Sequence, residues 1–344
     1  LSFGLVRELG REVHPIYVNE SGRHWFTALN AYRYFKENIE NTSRVWVNSD
    51  RVFAWFLRRF SFIRKDFAKI RSDEYPIRLW TVAVFLFGIL PLARKRGIGR
   101  ILIGDEFDTT IKASFEGISH YNGLFDQSLF FDYAMSRYFM KKGWSVSQFS
   151  LLRQLSELLI EKILVERYPD LQKHQTSCHA THKQGEKVYP CGKCEKCRRI
   201  VSMLTAIGAD PSRCGYTGSQ IKNCLESFEE LGISQLDSDA EHLAHILLEK
   251  GVMDKSPSVK VRAKPHPETL KLRFDPVRSP AECVPAELRK DAYKIMLEHA
   301  DGAVSRVGKK WVPFDPLAEN DPRPYPFEFE AIRDRASLNR DNAE

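Results

Sequence analysis

Four cysteines between positions 178 and 197 carry the clearest chemical signal in this chain. Their spacing is C-x12-C-x2-C-x2-C, and the last three thiols fall within the seven residues 191–197. Thiols two residues apart suit a tight turn that directs their sulfurs at one ion, and zinc takes four thiolates in closed structural sites. We therefore expect one structural Zn²⁺ ion bound by Cys178, Cys191, Cys194 and Cys197.

The neighbouring residues fit a metal-binding turn. Gly192 permits a positive φ angle and Pro190 stiffens the approach. Disulfides or a thioredoxin-like redox pair are alternatives, but three cysteines so close together cannot all pair, and no βαβ start precedes them. His179 or His182 in place of one sulfur is a further alternative. Basic residues offset the charge of a zinc ion with four thiolates, namely Lys193, Lys196, Arg198 and Arg199.

Length and composition limit the kind of protein. With 344 residues, 43% of them apolar, the chain can bury a substantial core in one large or two smaller domains. The formal net charge of +7 permits an anionic substrate such as a nucleotide and does not demand nucleic acid. Seven cysteines, four of them clustered, favour a reducing compartment, so we expect a cytoplasmic protein.

The run 79–93 is the candidate for a membrane span in this sequence. It is mostly apolar but short, and three basic residues follow it at 94–96. A bilayer asks for about twenty residues. We therefore expect a buried core helix here and no membrane partner.

Strand and helix signals alternate over the first two-thirds of the chain. This order predicts an α/β fold with a Rossmann-like parallel sheet and helices on both faces. Short strands are expected at 13–18, 44–47, 100–103 and 144–149. Helices are expected at 1–10, 24–39, 51–70, 76–96, 152–167, 198–207, 217–231, 239–250 and 285–300.

Composition divides the chain into three parts. Residues 1–177 are expected to form an α/β nucleotide-binding domain, and residues 178–254 the zinc knuckle with a helical region. Residues 255–344 are expected to supply a linker, a short helix and an extended tail. The reasons are that 255–280 is basic and proline-rich, whereas the tail from Asp315 is rich in Pro, Asp, Glu and Arg.

Polar turns follow three of the expected strands. Parallel sheets bind ligands beyond the carboxyl ends of their strands, so these turns are expected to line a nucleotide site. The turn after the expected strand at 100–103 carries three carboxylates, which suit Mg²⁺ or ribose hydroxyls. The alternative is that this turn is a solvated acidic loop. The candidate side chains are Asn19, Glu20, Ser49, Asp50, Gly104, Asp105, Glu106 and Asp108.

Two further side chains are candidates for chemistry. His120 lies in the polar and aromatic stretch 117–132, whose composition suits a lid, and it is either an acid–base or a structural residue. Arg153 and Glu157 are spaced i, i+4 on the polar face of the expected helix 152–167. They either form a surface pair, or Arg153 points to the strand edge and meets a carboxylate or a phosphate.

The order of elements, the run FSLLRQLSELLIEKILVERYP and the following SC…PCGKCEKC resemble the ATP-pyrophosphatase (PP-loop) family of adenine-nucleotide α-hydrolase-like enzymes. Within this family, the sequence most resembles the branches of 7-cyano-7-deazaguanine synthase and of the ATP-dependent UDP-N-acetylmuramoyl-L-alanyl-L-glutamate epimerase. The resemblance covers roughly residues 1–205, and its specific part is the cysteine motif. Members open with a strand and an SGGxDS loop that grips the ATP phosphates.

This sequence contains no SGGxDS, and its first ten residues look like the helix that follows that loop. Truncation is the expected explanation, and a degenerate, non-catalytic relative is the alternative. The chain as given is expected to hydrolyse little ATP.

What the resemblance implies is adenylation of a substrate carboxylate or carbonyl oxygen by ATP, with Mg²⁺ and release of pyrophosphate. By position, Asn19, Glu20, Ser49 and Asp50 would flank the adenosine. Asp105 and Glu106 stand where the epimerase-like relatives carry an Asn-Glu pair, so Glu106 matches and Asp105 departs from the pattern. This departure puts the second substrate in doubt.

Three functions follow from these patterns. The first is a zinc-stapled, ATP-dependent adenylating enzyme whose partners are ATP and a small carboxylate-bearing metabolite, with Glu106, His120 and Arg153 as catalytic candidates. The second is a relative that acts on transfer RNA, and the basic segments 51–70 and 255–273 favour it. The third is a non-catalytic zinc scaffold. The usual motifs of serine hydrolases, zincins and Walker-type enzymes do not occur.

Overall fold

The computed structural model of this protein describes residues 1–20, 24–49, 51–52, 55, 58–59, 65, 81–121, 124–178, 180–233, 236–253, 262–318 and 324–327. The fold is mixed α/β, and small sheets carry its strands. β1 (Ile16–Glu20) pairs in parallel with β2 (Ser43–Val47). β3 (Arg100–Leu102) pairs in parallel with β6 (Ser147–Phe149). All four strands overlap the predicted ones, and both pairs are parallel as expected. β1 nevertheless continues through Asn19 and Glu20, so these two residues end the strand and do not lie in the turn that the sequence predicts after residue 18.

The expected continuous Rossmann-like sheet does not appear among the described residues, because β1–β2 and β3–β6 remain separate pairs. Two antiparallel hairpins add β4 (Lys112–Phe115) with β5 (Ile118–Tyr121), and β7 (His182–Gln184) with β8 (Lys187–Tyr189). The fifth sheet has three strands, with the middle place taken by the second of them along the chain. Its strands are β9 (Leu272–Phe274), β10 (Ala303–Val307) and β11 (Lys310–Pro313).

Ten helices accompany these strands in the described parts of the chain. They are α1 (Ser2–Glu8), α2 (Leu29–Asn38), α3 (Thr81–Lys95), α4 (Leu129–Lys141), α5 (Glu157–Arg167), α6 (Pro169–Gln172), α7 (Glu195–Ala206), α8 (Gly218–Leu231), α9 (Asp237–Glu249) and α10 (Ala286–Leu297). Most coincide with predicted helices. The predicted helix at 51–70 falls largely outside the described residues.

The prediction that a helix begins at Leu152 is wrong, because α5 begins only at Glu157. Ser156 caps the helix by accepting the amide N–H of Leu159 at 3.0 Å. The residues before it use their main-chain groups in tertiary contacts. The carbonyl of Leu155 accepts the N–H of Phe107 at 3.0 Å, and the carbonyl of Gln154 accepts the N–H of Arg273 at 2.8 Å. Segment 150–156 is therefore a buried, non-helical connection between two distant parts of the chain.

Composition predicts a linker at 255–280, but β9 within this segment lies in the largest core cluster. Leu272 and Phe274 are buried there against Leu5 of α1, Leu159 of α5 and Tyr293 of α10. In the described part of the tail, Tyr325 and Phe327 are buried in the same cluster. The beginning and the end of the described chain thus share one core, while the three-part division by composition stays a prediction.

The described part of the apolar run, residues 81–93, contributes to the interior, as predicted. Within α3, Leu86 is fully buried and Leu90 nearly so, and both pack on Ile101 of β3. Asp126 caps this helix by accepting the N–H groups of Val82 at 2.7 Å and Ala83 at 3.2 Å. No helix in the described parts of the chain has the length and apolar character needed to cross a membrane.

We predict that Leu159→Ala lowers the free energy of unfolding by about 2–5 kcal/mol, because it opens a cavity in the core cluster that joins α1, α5, β9 and α10. Leu231→Ala is the matched control, since that leucine is 65% exposed, and we expect a change within about 0.5 kcal/mol. Urea unfolding followed by circular dichroism measures both. Equal effects of the two substitutions would contradict the described core.

Candidate functional site

The four predicted cysteine ligands come together in the structure. The sulfurs of Cys178, Cys191, Cys194 and Cys197 all lie within 4.8 Å of one another. Three separations are 3.8 Å (Cys191 to Cys197), 3.8 Å (Cys178 to Cys194) and 3.5 Å (Cys194 to Cys197). Four thiolates about 2.3 Å from one tetrahedral Zn²⁺ lie about 3.8 Å apart. The arrangement thus fits a zinc ion, and all four cysteines are free thiols.

The local fold explains why the sulfurs converge. The β7–β8 hairpin lies between Cys178 and Cys191, and α7 starts directly after Cys194, so that Cys197 lies in its first turn. Gly192 adopts φ +67°, and a Cβ at this position would collide with the side chain of Gln220 of α8. A helix N-terminus and backbone N–H groups both favour thiolates.

Charge also favours an ion at this position. The sulfur of Cys178 accepts the N–H groups of Cys191 at 3.2 Å and Ala180 at 3.3 Å. The hydrogen-bonded thiols of Cys194 and Cys197, together with burial, raise the pKa of the Cys178 thiol. Four thiols packed this closely cannot all ionise unless a cation compensates their charge.

The alternative ligand His182 is not part of the cluster. Its side chain is exposed and stacks on Tyr189, with ring centroids 5.9 Å apart. His179 lies outside the described residues.

We predict that Cys194→Ser abolishes tight metal retention, because oxygen is a poorer zinc ligand than thiolate and binding energy is folding energy in such sites. The purified protein should hold about one zinc per chain, and the variant far less after dialysis against a chelator. Cys224→Ser is the control, since this buried thiol donates to the carbonyl of Gly192 at 3.5 Å without belonging to the cluster. Elemental analysis reads the outcome, and unchanged zinc in Cys194→Ser would refute the site.

A second site surrounds the acidic turn that follows β3. Residues Phe107–Thr110 form a short 3₁₀ helix. Arg153, which is completely buried, holds it from one side. The guanidinium of Arg153 donates to Thr109 Oγ1 at 2.7 Å and to the carbonyl of Gln127 at 2.7 Å. It also lies 2.6 Å from Asp132 Oδ2 and 3.4 Å from Asp105 Oδ2.

This geometry decides between the two readings of Arg153. It is not on a helix face and forms no surface pair with Glu157; instead it lies just beyond β6 and meets carboxylates at the strand edge. Glu157 pairs with Arg199 of α7 at 3.0 Å.

A second buried arginine, which sequence reasoning missed, holds the turn from the other side. Arg273 of β9 is 2% exposed and forms a bidentate pair with Asp239 of α9, at 3.1 and 3.0 Å. Its guanidinium lies 3.6 Å from Asp108 Oδ1 and stacks over the ring of Phe107, 3.9 Å from the centroid. Arg273 lies in a segment whose composition suggests a linker, so no local signal marks it.

Each buried arginine is thus shared by two carboxylates. Burial raises the pKa of Asp105 to about 8, against the opposing effect of Arg153. Burial and the nearby Asp239 raise the pKa of Asp108 well above its usual range. Asp132 is closer to Arg153 than Asp105 is, so the charge of Asp105 is the less well compensated of the two. A proton on one carboxyl of each triad would remove its net charge and lower the cost of burying it.

Glu106 stands between this cluster and the zinc knuckle. Its side chain is partly buried, and burial followed by the negative charge of Glu157 raises its pKa to about 7. Arg199 of α7 lowers it in turn and binds Glu157. A carboxyl with a pKa near neutrality can both accept and donate a proton, which suits general acid–base chemistry.

The remaining predicted residues do not join this cluster in the same way. Gly104 is exposed, and His120 is exposed with its Nδ1 2.9 Å from the carbonyl of Tyr121. Asn19 is buried in β1, where its Oδ1 has no hydrogen-bond partner among the described residues. Ser49 follows β2, the side chain of Glu20 and the whole of Asp50 lie outside what the structure describes, and the convergence of the three turns stays a prediction.

The four cysteines are the one group of three or more metal-ligating side chains found close enough together to share an ion in the described part of the chain. The carboxylates of Asp105 and Asp108 face arginines instead. Mg²⁺ and ATP therefore stay predictions.

Comparison with known proteins gives no relative. No protein family matches the chain, and neither a curated protein nor a solved structure shows significant similarity to it. The site must be interpreted from its own geometry.

We predict that Asp105→Asn weakens the dependence of stability on pH. A carboxyl whose pKa is about 8 when folded and near 4 when unfolded stabilises the fold below pH 4, and this contribution is lost as the pH rises towards 8. Between pH 4 and pH 8, the unfolding free energy of wild type should decrease with pH more steeply than that of the variant, by up to about 1.4 kcal/mol per pH unit. The stability of the variant relative to wild type should therefore be higher at pH 8 than at pH 4.

Asp291→Asn is the control for this measurement, because Asp291 is exposed on α10 and should leave the slope as it is. Urea unfolding at a series of pH values provides the data. The same slope in wild type and Asp105→Asn would show that Asp105 is ionised in the fold.

Proposed function

We propose that this protein is a zinc-stabilised, ATP-dependent adenylating enzyme that activates a carboxylate of a small metabolite and releases pyrophosphate. The observation that carries the proposal is the buried turn 105–110 after β3, held by Arg153 just beyond β6. β3 and β6 are adjacent parallel strands. Their carboxyl ends are the place where α/β sheets bind ligands, and this end carries a carboxyl whose pKa lies near neutrality.

In the proposed reaction, adenylation converts a poor leaving oxygen of the substrate carboxylate into a good one, and the activated carbon is then open to attack or to loss of an α-proton. Glu106 is the residue suited to accept or return that proton, because the residue is only partly buried and the pKa of its carboxyl is about 7. Mg²⁺ would neutralise phosphate charge.

Arg153 has a positioning role in this proposal. Its guanidinium is completely buried and already hydrogen-bonded to Thr109, Gln127 and Asp132, so it holds the turn that presents Glu106. His120 stays a candidate for a proton-transfer role at the exposed β4–β5 hairpin.

In this proposal the zinc ion stabilises the fold and takes no part in the reaction. Four thiolates fill a tetrahedral zinc and leave no open position for substrate, which is the pattern of structural sites. The ion would fix the start of α7, and α7 carries Arg199, which binds Glu157 next to Glu106.

No observation on the described residues favours the alternative of an enzyme that acts on transfer RNA. The basic segment 51–70 lies mostly outside the described residues, and 262–273 is partly buried in the core.

The proposal is tested by pyrophosphate release from ATP in the presence of a pool of small carboxylates. Because the sequence contains no SGGxDS, a strand and loop carrying that motif are joined before Leu1 for the assay. We expect carboxylate-dependent release that falls about a hundredfold or more in Glu106→Gln, a typical loss for a general acid or base. Glu230→Gln, at an exposed position of α8, should retain it. Absence of release with every carboxylate pool would count against the proposal.

A further inference from the structure

A cleft of about 380 Å³ lies between α2, the β7–β8 hairpin and the residues that follow α6. The helix lines it with Asn30, Arg33, Tyr34 and Glu37, whose spacing places them on one face of α2. The lining includes no residue of the turn 105–110. The cleft is therefore a separate feature from the acidic site described above.

Hydrogen bonds hold the two main walls of this cleft together. Asn30 donates to Thr176 Oγ1 at 3.1 Å and to the carbonyl of Val188 at 2.8 Å, and its Oδ1 accepts the N–H of Val188 at 3.0 Å. α2 is thus fixed against β8, in the hairpin between the first two cysteine ligands. Tyr34 stacks on His174, with ring centroids 4.5 Å apart. The walls are therefore held in place before any ligand binds.

Positive charge predominates in the lining. Four cationic side chains and two carboxylates face the cleft, a formal excess of two positive charges; the cations are Arg33, Lys173, Lys187 and Arg213, and the carboxylates are Glu37 and Glu186. Arg33 Nη2 lies 3.6 Å from Glu186 Oε2, and Lys173 lies 2.9 Å from Asp170. Both carboxylate partners are exposed, so these ion pairs contribute little.

Two nitrogen atoms of the lining residues lack a hydrogen-bond partner. Arg33 Nη1 and His174 Nε2 are both buried, and neither bonds to any described residue. A buried donor without an acceptor is costly. Burial, followed by the charges of Lys173 and Lys187, lowers the pKa of His174. The ring is therefore neutral near pH 7, and its Nε2 can carry the proton that an oxyanion accepts.

We propose that this cleft binds a small metabolite through its phosphate group. A phosphate monoester carries about −1.5 to −2 charges at pH 7 and has three acceptor oxygens. Its charge matches the excess in the lining, and its oxygens can accept from donors on several walls at once, with Arg33 as the central one. A carboxylate offers one charge and accepts in one plane. The volume leaves room for a small organic group beside the phosphate.

The test is a titration of the full chain with glycerol 3-phosphate and, separately, with inorganic phosphate, followed through the ring-carbon NMR signal of His174. We expect a saturable shift with a Kd of about 1 mM or below. The tighter of the two ligands shows whether the cleft prefers an ester or free phosphate. Glycerol, which lacks the charge, should leave the signal unchanged.

Variants of the charged side chains locate the binding. Arg33→Gln should raise the Kd at least about tenfold, and Lys187→Gln about fivefold. Glu186→Gln should lower it about two- to fivefold, because it removes the carboxylate that competes for Arg33. Lys294→Gln, at an exposed position of α10, is the matched control and should leave the Kd within about twofold.

Absence of a saturable shift with either phosphate would overturn the proposal, and so would equal effects of Lys187→Gln and Lys294→Gln. A short single-stranded RNA without a terminal phosphate forms a third arm. A shift with this RNA but with neither small phosphate would assign the cleft to a polynucleotide and overturn the small ligand. If Arg33→Gln fails to fold, the exposed residues Lys187 and Glu186 decide.

The titrations contain no ATP and do not measure pyrophosphate release. A failure of this experiment is therefore distinguishable from a failure of the adenylation proposal.

Discussion

Two buried guanidinium groups hold the centre of this protein together. Arg153 and Arg273 lie on opposite sides of the turn 105–110, and each is shared by two carboxylates from different parts of the chain. Burying such charges is costly, and breaking one buried pair by removing a partner typically costs about 3–5 kcal/mol. The hydrogen bonds that compensate this cost are also the contacts that bring the ends of β3 and β6, α4, α9 and β9 to one place.

The same contacts connect the buried turn to the zinc knuckle. Glu106 lies in the turn, Glu157 begins α5, and Arg199 projects from α7, whose first turn contains Cys197. The charges of Glu157 and Arg199 act on Glu106 in opposite directions. A metal that fixes the start of α7 therefore also fixes a charge beside the carboxyl that we assign to proton transfer, although the two sites have separate ligands.

The sequence was sufficient for features that depend on local spacing. The cysteine motif specifies its own geometry, because residues 191–197 form one turn and one helix start, and the four parallel strands follow from short apolar runs. It failed at the start of α5, where Leu152 and Leu155 continue a helical apolar pattern although their segment is bonded to residues 107 and 273. It also failed at β9, whose buried Leu272 and Phe274 stand in a basic, proline-rich surrounding. The partners of Arg273 are 34 residues or more away along the chain, a distance that no local pattern encodes.

The central claim is that buried charge pairing, not apolar packing alone, holds the turn that carries Glu106. The most direct measurement is a double-mutant cycle on Arg153→Met and Asp132→Asn, read as the free energy of urea unfolding. Our account predicts a coupling of at least about 2 kcal/mol, near the upper part of the range for neighbouring residues. The exposed pair Lys222 and Glu226, 3.8 Å apart, should give a much smaller coupling in the same kind of cycle. A coupling between Arg153 and Asp132 no larger than that of the exposed pair would contradict the account.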